Sequence, residues 1–322
     1  MQTFDLIVRG ATVVSHDGIG RADVGARAGR TAAIGDLSGA DARAFLQNLV
    51  SNDLDRLTAE RAIYAALLTP QGKYLFDFFI LEAGDALLLE SEAGRLAELA
   101  KRLTMYRLRA KVEIAPEAAL AVHAAFGDGA SEALGLAAEP GAARAFAGGT
   151  AFVDPRLAAA GVRVVAPAAD ARAALAEAGF GAADAAAYDR HRLALALPDS
   201  SRDLEVERTV LLEANFEELH GVDFHKGCFV GQEVTARTKY RGLVKKRLVR
   251  VDVDGPLPAP DTPIRLGDKD AGQVRSGSDG LALAMLRLEA LDAARAGGAP
   301  LVAGEARLIP VRAAWEAGEA AP

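Results

Sequence analysis

The chain is poor in the residues that carry redox, metal and base-stacking chemistry. It has one cysteine, one tryptophan, five histidines and only 6% aromatic residues. A single cysteine excludes an intrachain disulfide and any all-cysteine metal site within one chain, and it argues against a disulfide-built secreted scaffold. None of the histidines (His16, His123, His191, His220, His225) stands at metal-ligand spacing with Asp, Glu or Cys, so no metal site is expected. So few aromatics leave little with which to stack nucleobases. No apolar run approaches the roughly 20 residues needed to span a bilayer. Asp5 and Arg9 interrupt the start, which lacks the basic-then-apolar pattern of a signal peptide and the acid-poor look of a transit peptide. The expectation is a cytoplasmic protein with no membrane partner.

What is present is ordinary globular composition, 51% hydrophobic and 25% charged with a net charge of −7, enough for about two to three domains. One stretch departs from it: Gly221 to Arg247, GVDFHKGCFVGQEVTARTKYRGLVKKR. It holds the only cysteine, Cys228, bracketed by Gly227 and Gly231 and followed by the polar pair Gln232–Glu233. Glycines at that spacing read as a shaped loop presenting a thiol. From Lys226 to Arg250 there are eight basic residues against one acid, Glu233, a local reversal of charge that suits an anionic partner. A turn followed by a solvated basic strand would account for the charge equally simply.

Lys226-Gly227-Cys228-Phe229-Val230-Gly231-Gln232-Glu233, followed by Ala236-Arg237 and Tyr240-Arg241-Gly242, resembles the signature of the YgfZ proteins. These are folate-binding relatives of the glycine-cleavage T-protein (aminomethyltransferase) that assist iron–sulfur cluster maturation. The resemblance runs from about Gly39 to the last strand near Val311. It implies an α+β fold, a T-protein-like ring of two partly interleaved ferredoxin-like units closed by a small C-terminal β-barrel around a central folate cavity. Residues 1–37 stand apart. Phe4 to Val14 is apolar and β-branched, Ala22–Val24 and Thr31–Gly35 follow, and Asp17-Gly18 and Gly29 break the run. That pattern reads as short strands joined by tight turns and resembles the N-terminal strands of dihydroorotase-type amidohydrolases. The His-x-His metal motif those enzymes need never follows, so their activity is not carried over.

The expected organisation is therefore a foreign N-terminal extension (1–37), a folate-binding α+β region (38–243), a barrel (244–317) and a frayed tail (318–322). The α+β region divides into 38–115 with 190–243, and 116–189. Apolar spacing at Ala42, Phe45, Leu46, Leu49 and Val50 predicts a helix over Ser38–Leu57. Strands are predicted at Arg61–Thr69, Tyr74–Leu81 and Ala86–Glu90, and a helix at Glu92–Leu103. Alternation predicts a half-buried strand over Tyr106–Ile114. Ala119–Phe126 and Val162–Ala166 read as strands, Asp170–Ala178 and Ala182–Leu197 as helices, and Gly127–Thr150 as helix or loop. Val249, Val251 and Val253 alternate with Arg250, Asp252 and Asp254, and short strands recur at Ile264, Gln273, Leu281 and Ala306. This is the pattern of a small barrel.

Candidate site residues follow in part from chemistry and in part from the resemblance. Cys228 is the functional thiol, with Lys226 a neighbouring cation that favours the thiolate; the alternative is a small buried hydrophobe. One thiol cannot hold a cluster alone, which leaves a transient role or one shared with a partner. The resemblance places Gly227, Gly231, Gln232, Glu233, Tyr240, Glu213 and Asn215 around a tetrahydrofolate or derivative. The carboxylates and amides would accept the pterin ring N–H groups, or close loops and turns structurally. Arg237, Lys239 and Arg241, with Arg107, Arg109 and Lys111, are candidates for the glutamate tail, since arginine in particular binds carboxylates through two nitrogens; solvated faces are the alternative. The implied function is a tetrahydrofolate-binding accessory factor for assembly or repair of iron–sulfur enzymes, partnered by client or assembly proteins. Whether it also catalyses a reaction stays open. A folate-dependent aminomethyltransferase and a tRNA- or polyanion-binding module are the alternatives.

Overall fold

The computed structural model describes residues 13–15, 18–20 and 32–319. Strand β1 (Val13–Ser15) pairs antiparallel with β2 (Gly18–Gly20). The strands expected over Phe4–Thr12 and Ala22–Val24 lie outside the described residues. The described residues fall into two compact units. The first takes those within 1–68, 76–188 and 219–230; the second takes 69–75, 189–218 and 231–319.

In the first unit β3 (Ala32–Ser38) leads into the short helix α1 (Ala42–Gln47). Then come β4 (Ile63–Leu68), β5 (Tyr74–Ala83), β6 (Ala86–Glu92), helix α2 (Leu96–Arg107) and β7 (Glu113–Glu117). The sheet order is β4-β5-β6-β3-β7, so β3 is an internal strand, antiparallel to β6 on one side and β7 on the other. Ile34 and Leu37 are both buried. A second sheet, β8-β11-β10-β9, is built from β8 (Ala121–Ala125), β9 (Ala143–Phe146), β10 (Gly149–Val153) and β11 (Val162–Ala166). Helices α3 (Ala130–Ala133) and α4 (Ala168–Glu177) accompany it. The β9–β10 hairpin turns at Ala147 and Gly148, both at positive φ (50° and 74°), which matches the right-handed twist of the flanking strands.

Three stretches of the first unit depart from the sequence-based expectation. Gly127–Thr150, read as helix or loop, holds α3 but also β9 and the start of β10. The helix predicted over Ser38–Leu57 is confined to α1. Ser38 belongs to β3, and Asn48 and Asp53 bind nearby backbone groups, with Asp53 capping a separate 3-10 turn at Leu54–Arg56. Such side chains compete with the helical ladder. The strand predicted over Tyr106–Ile114 is overturned more fully. Helix α2 runs on through Arg107 with Leu99 and Leu103 buried, so the helical period of the preceding residues prevails over a short alternation. The chain then turns at Leu108 (φ 44°, ψ −104°) and becomes extended again only at Glu113.

The second unit carries α5 (Ala185–Ala194, whose first residues belong to the first unit) and α6 (Ser200–Asp203). It also carries α7 (Gln232–Tyr240) and a closed six-stranded barrel, β12-β15-β14-β13-β16-β17. The strands are β12 (Lys246–Asp254), β13 (Pro263–Leu266), β14 (Lys269–Ser278), β15 (Leu281–Arg287), β16 (Leu301–Ala303) and β17 (Ala306–Val311). Helix α8 (Leu288–Arg295) follows β15. The predicted alternation holds on β12: Val249 and Val251 fill the barrel core, while Arg250 and Asp252 pair at 2.9 Å. A buried network fastens α5 and α6 to the barrel. Arg192 donates to Asp203 (2.9 Å) and to Ser276 of β14 (2.8 Å), and Ser276 donates its backbone N–H to Asp203 (3.0 Å).

Candidate functional site

The Gly221–Val230 segment is irregular chain, and side chains of the turn after α1 hold it in place. Ser51 Oγ donates to the carbonyl of Gly221 (2.6 Å), and Asn52 Nδ2 donates to those of His220 and Tyr64 (2.7 Å each). Asp223 accepts the backbone N–H of His225 and pairs with Arg56 (2.6 Å). Lys226 completes the anchor. Only 7% exposed, its Nζ donates to the carbonyls of Gln47 (2.8 Å), Val50 (2.7 Å) and Asn52 (2.6 Å). An ammonium has three protons, and all three are engaged. Burial pushes its pKa down to about 8, against the pull of Asp53, Asp223 and Asp55.

Cys228 is exposed and free. Its neighbours alternate sharply: Lys226 and Phe229 are buried, Gly227 and Cys228 open to solvent. The thiol thus sits at the crest of a short loop pinned on both sides, and the buried-hydrophobe alternative is excluded. A Cβ at Gly227 would meet nothing within 4 Å, so the space beside the thiol is open. Lys226 occupies a different place from the one its sequence adjacency suggests. Its ammonium is committed to carbonyls and supports the loop.

In the second unit, the residues that follow form α7, where the sequence suggested a loop and a basic strand. Gly231 is its N-cap at φ 85°, and its carbonyl accepts from Thr235 Oγ1 (3.0 Å). A left-handed cap of this kind favours glycine. Glu233 and Arg237 pair along the helix at 2.6 Å, both exposed, and Lys239 pairs with Glu217. Gln232 is half-buried, Tyr240 is 70% exposed, and Arg241 is exposed with no ion pair among the described residues. The 3-10 turn Leu211–Ala214 packs against α7 and β12. It leaves the carboxylate of Glu213 half-buried. Asn215 (φ 60°) is fully buried and donates to the carbonyl of Leu248 (2.8 Å). Its amide fastens the turn to the barrel, closed off from solvent in this conformation.

Sequence reasoning missed a buried charged cluster in the first unit. Arg156 makes a two-pronged contact with Asp154 (2.8 and 3.0 Å), and its guanidinium lies 5.0 Å from the ring centroid of Phe79. Arg163 lies over the same ring at 4.3 Å and binds Glu90 and the Tyr188 hydroxyl. Tyr64 donates to Asp77 at 2.8 Å. Burial raises the carboxyl pKa of Asp154, but Arg156 and Arg163 overcome it and hold the group below its usual range; burial and Asp77 push the Tyr64 phenol well up. The one hint in the sequence is Asp77 inside the apolar run Tyr74–Leu81. Among the described residues no group of three or more His, Cys, Asp or Glu could hold a metal ion, and no helix is long and apolar enough to cross a membrane.

This architecture is the T-protein fold. The chain matches the crystal structure of the glycine cleavage system aminomethyltransferase T from Bartonella henselae with a TM-score of 0.69 at 18% identity, covering 88% of this chain and 83% of that one. Residues 245–317 match the CAF17 C-terminal beta-barrel domain. Two relatives place the chain more narrowly. It is 32% identical to the mitochondrial iron-sulfur cluster assembly factor IBA57 of Mus musculus over 79% of this chain and 75% of that protein. It is 34% identical to that of Homo sapiens over 77% and 73%. The chain belongs to the IBA57 family. Nothing in the fold or in these relatives supports an amidohydrolase kinship for residues 1–37.

Proposed function

We propose that the chain is an accessory factor for assembly of iron–sulfur clusters in client enzymes, using Cys228 as its one sulfur ligand or sulfur-handling group. The observation that carries this reading is the exposed thiol held between buried Lys226 and buried Phe229. A thiolate is the form that binds metal and exchanges sulfur. Because one thiol cannot hold a cluster, the remaining ligands come from the partner. The family's printed role points the same way.

The second part of the proposal is a tetrahydrofolate-type ligand. The groups available in the second unit fit one. Glu213 offers a half-buried carboxylate to pterin N–H donors, and Gln232 offers an amide. Arg241 offers an unpaired guanidinium to the glutamate tail, and Arg237 offers one already paired with Glu233. When bound, folate would supply a one-carbon carrier; the chain's own residues bind and orient it.

Titration with tetrahydrofolate, with an RNA oligonucleotide as competitor, tests the ligand. Arg241→Ala is expected to weaken a polyglutamated folate by about 1–3 kcal/mol more than a monoglutamate. Cys228→Ser is expected to leave melting and folate affinity unchanged while iron–sulfur enzyme activity in cells falls. Full activity of the serine variant would end the thiol's role, and turnover of an aminomethyl donor would favour a transferase.

A further inference from the structure

Helix α2 ends in an unusual way. From Lys101 to Lys111 the chain carries five basic residues and no acidic one, although the protein as a whole is at net −7. Within that stretch Leu108 is 90% exposed and Met105 is 64% exposed. Leu108 also sits in the left-handed half of backbone space (φ 44°, ψ −104°), where a leucine is strained. None of Arg102, Arg107, Arg109 and Lys111 makes an ion pair among the described residues. Sequence alternation placed Leu108 on a buried face, whereas the fold turns it outward and surrounds it with unpaired cations.

We propose that Met105 to Lys111 is a docking surface for a partner protein that offers an acidic rim around an apolar pocket, with Leu108 as the inserted side chain. An apolar knob inside a charged rim is the usual anatomy of an energetic centre in a protein interface, and the unpaired cations call for an acidic counterpart. A membrane surface fits less well. Amphipathic segments that lie on lipid present a long apolar face, whereas Leu99 and Leu103 of α2 are buried in the protein's own core and Leu96 is half-buried. A nucleic acid fits less well too, because Tyr106 is half-buried and the surface presents no exposed aromatic ring to stack on a base.

The proposal is independent of the thiol and of folate. The test places the photo-crosslinker p-benzoylphenylalanine at position 108 of the full chain, or at Leu257 of the barrel unit as a control, in cells lacking their own copy. The expected result is a polypeptide adduct at 108, absent at 257, whose mapped partner peptide is acidic around an apolar residue. Adding Arg109→Glu and Lys111→Glu is expected to reduce the adduct by about tenfold, the effect of reversing two rim charges, with melting unchanged. Leu108→Gly relieves the backbone and is expected to melt at the same or a higher temperature, yet to lose iron–sulfur enzyme activity. No adduct at 108, an adduct removed by nuclease, an adduct to lipid, or an equal adduct in the charge-reversed chain would each overturn the proposal. If the unaltered chain fails to restore iron–sulfur activity, the accessory role falls and the crosslink still decides the docking surface. If the unaltered chain and both variants restore it equally, the docking surface falls and the accessory role stands.

Discussion

Lys226 lies two positions from the only thiol, yet its charge is directed into the protein. Its three donors satisfy the carbonyls of Gln47, the last residue of α1, and of Val50 and Asn52 in the turn that follows. Lys226→Met keeps most of the apolar stem and leaves those carbonyls without a donor. The expected loss is about 3 kcal/mol or more in urea unfolding, since a buried polar group left unpaired costs about 1–3 kcal/mol. A loss below about 1 kcal/mol would mean that the anchor is dispensable. His123, on β8, gives a pH signature instead. It is almost fully buried, and its Nδ1 has no hydrogen-bond partner. Burial, with Arg172 nearby, lowers its pKa to about 4. Between about pH 6.5 and 4 the unfolded chain therefore holds the proton more tightly than the folded one, so stability falls as pH drops through that window. By pH 5 this group alone is expected to cost about 2 kcal/mol. His123→Gln should remove that part of the difference between unfolding midpoints at pH 7 and pH 5, and an unchanged difference would place the titration elsewhere.

At the scale of elements, α2 and α7, like α1, are helices where local pattern and fold diverged. In α2 the divergence is a matter of period. Tyr106, Leu108 and Ala110 alternate with Arg107, Arg109 and Lys111 as a strand would, but the apolar spacing of Leu96, Leu99 and Leu103 continues the helix to Arg107. In α7 the glycines and cations concealed a helix that begins at Gln232, just after its cap Gly231. The Thr69–Leu75 turn packs close by, with a Cβ at Gly72 meeting Val234 at 3.0 Å. Gly231→Ala forces a side chain into φ 85° at the helix cap and is expected to cost about 1–2 kcal/mol. Denaturant midpoints of the full chain would measure it, and a neutral result would mean that the cap relaxes to an ordinary conformation.

For the whole molecule, the first question is how much of the N-terminus the fold needs. Strand β3 starts at Ala32 and lies between β6 and β7. A chain beginning near Gly29 is expected to keep its melting behaviour, whereas one beginning at Ser38 loses an internal strand and is expected to lose the first unit. Scanning calorimetry of the two truncations separates these outcomes, and equal stability of both would contradict the topology. Much of this architecture could be read directly. The barrel announces itself in Val249 and Val251 against Arg250 and Asp252, because a two-residue period records which face is buried. The motif from Lys226 to Glu233 announces the family, because a run of eight specific residues has few alternative readings. The Arg156–Asp154 and Arg163–Glu90 cluster did not announce itself, since its members are scattered from Tyr64 to Tyr188 and meet only when the sheets of the first unit pack. The sequence alone determined the family signature, the single thiol and the strand pattern of the barrel, all of which are local. Tertiary structure alone decided that Lys226 is an anchor, that Cys228 is open and that Leu108 faces solvent, because burial depends on what distant residues bring to the same place.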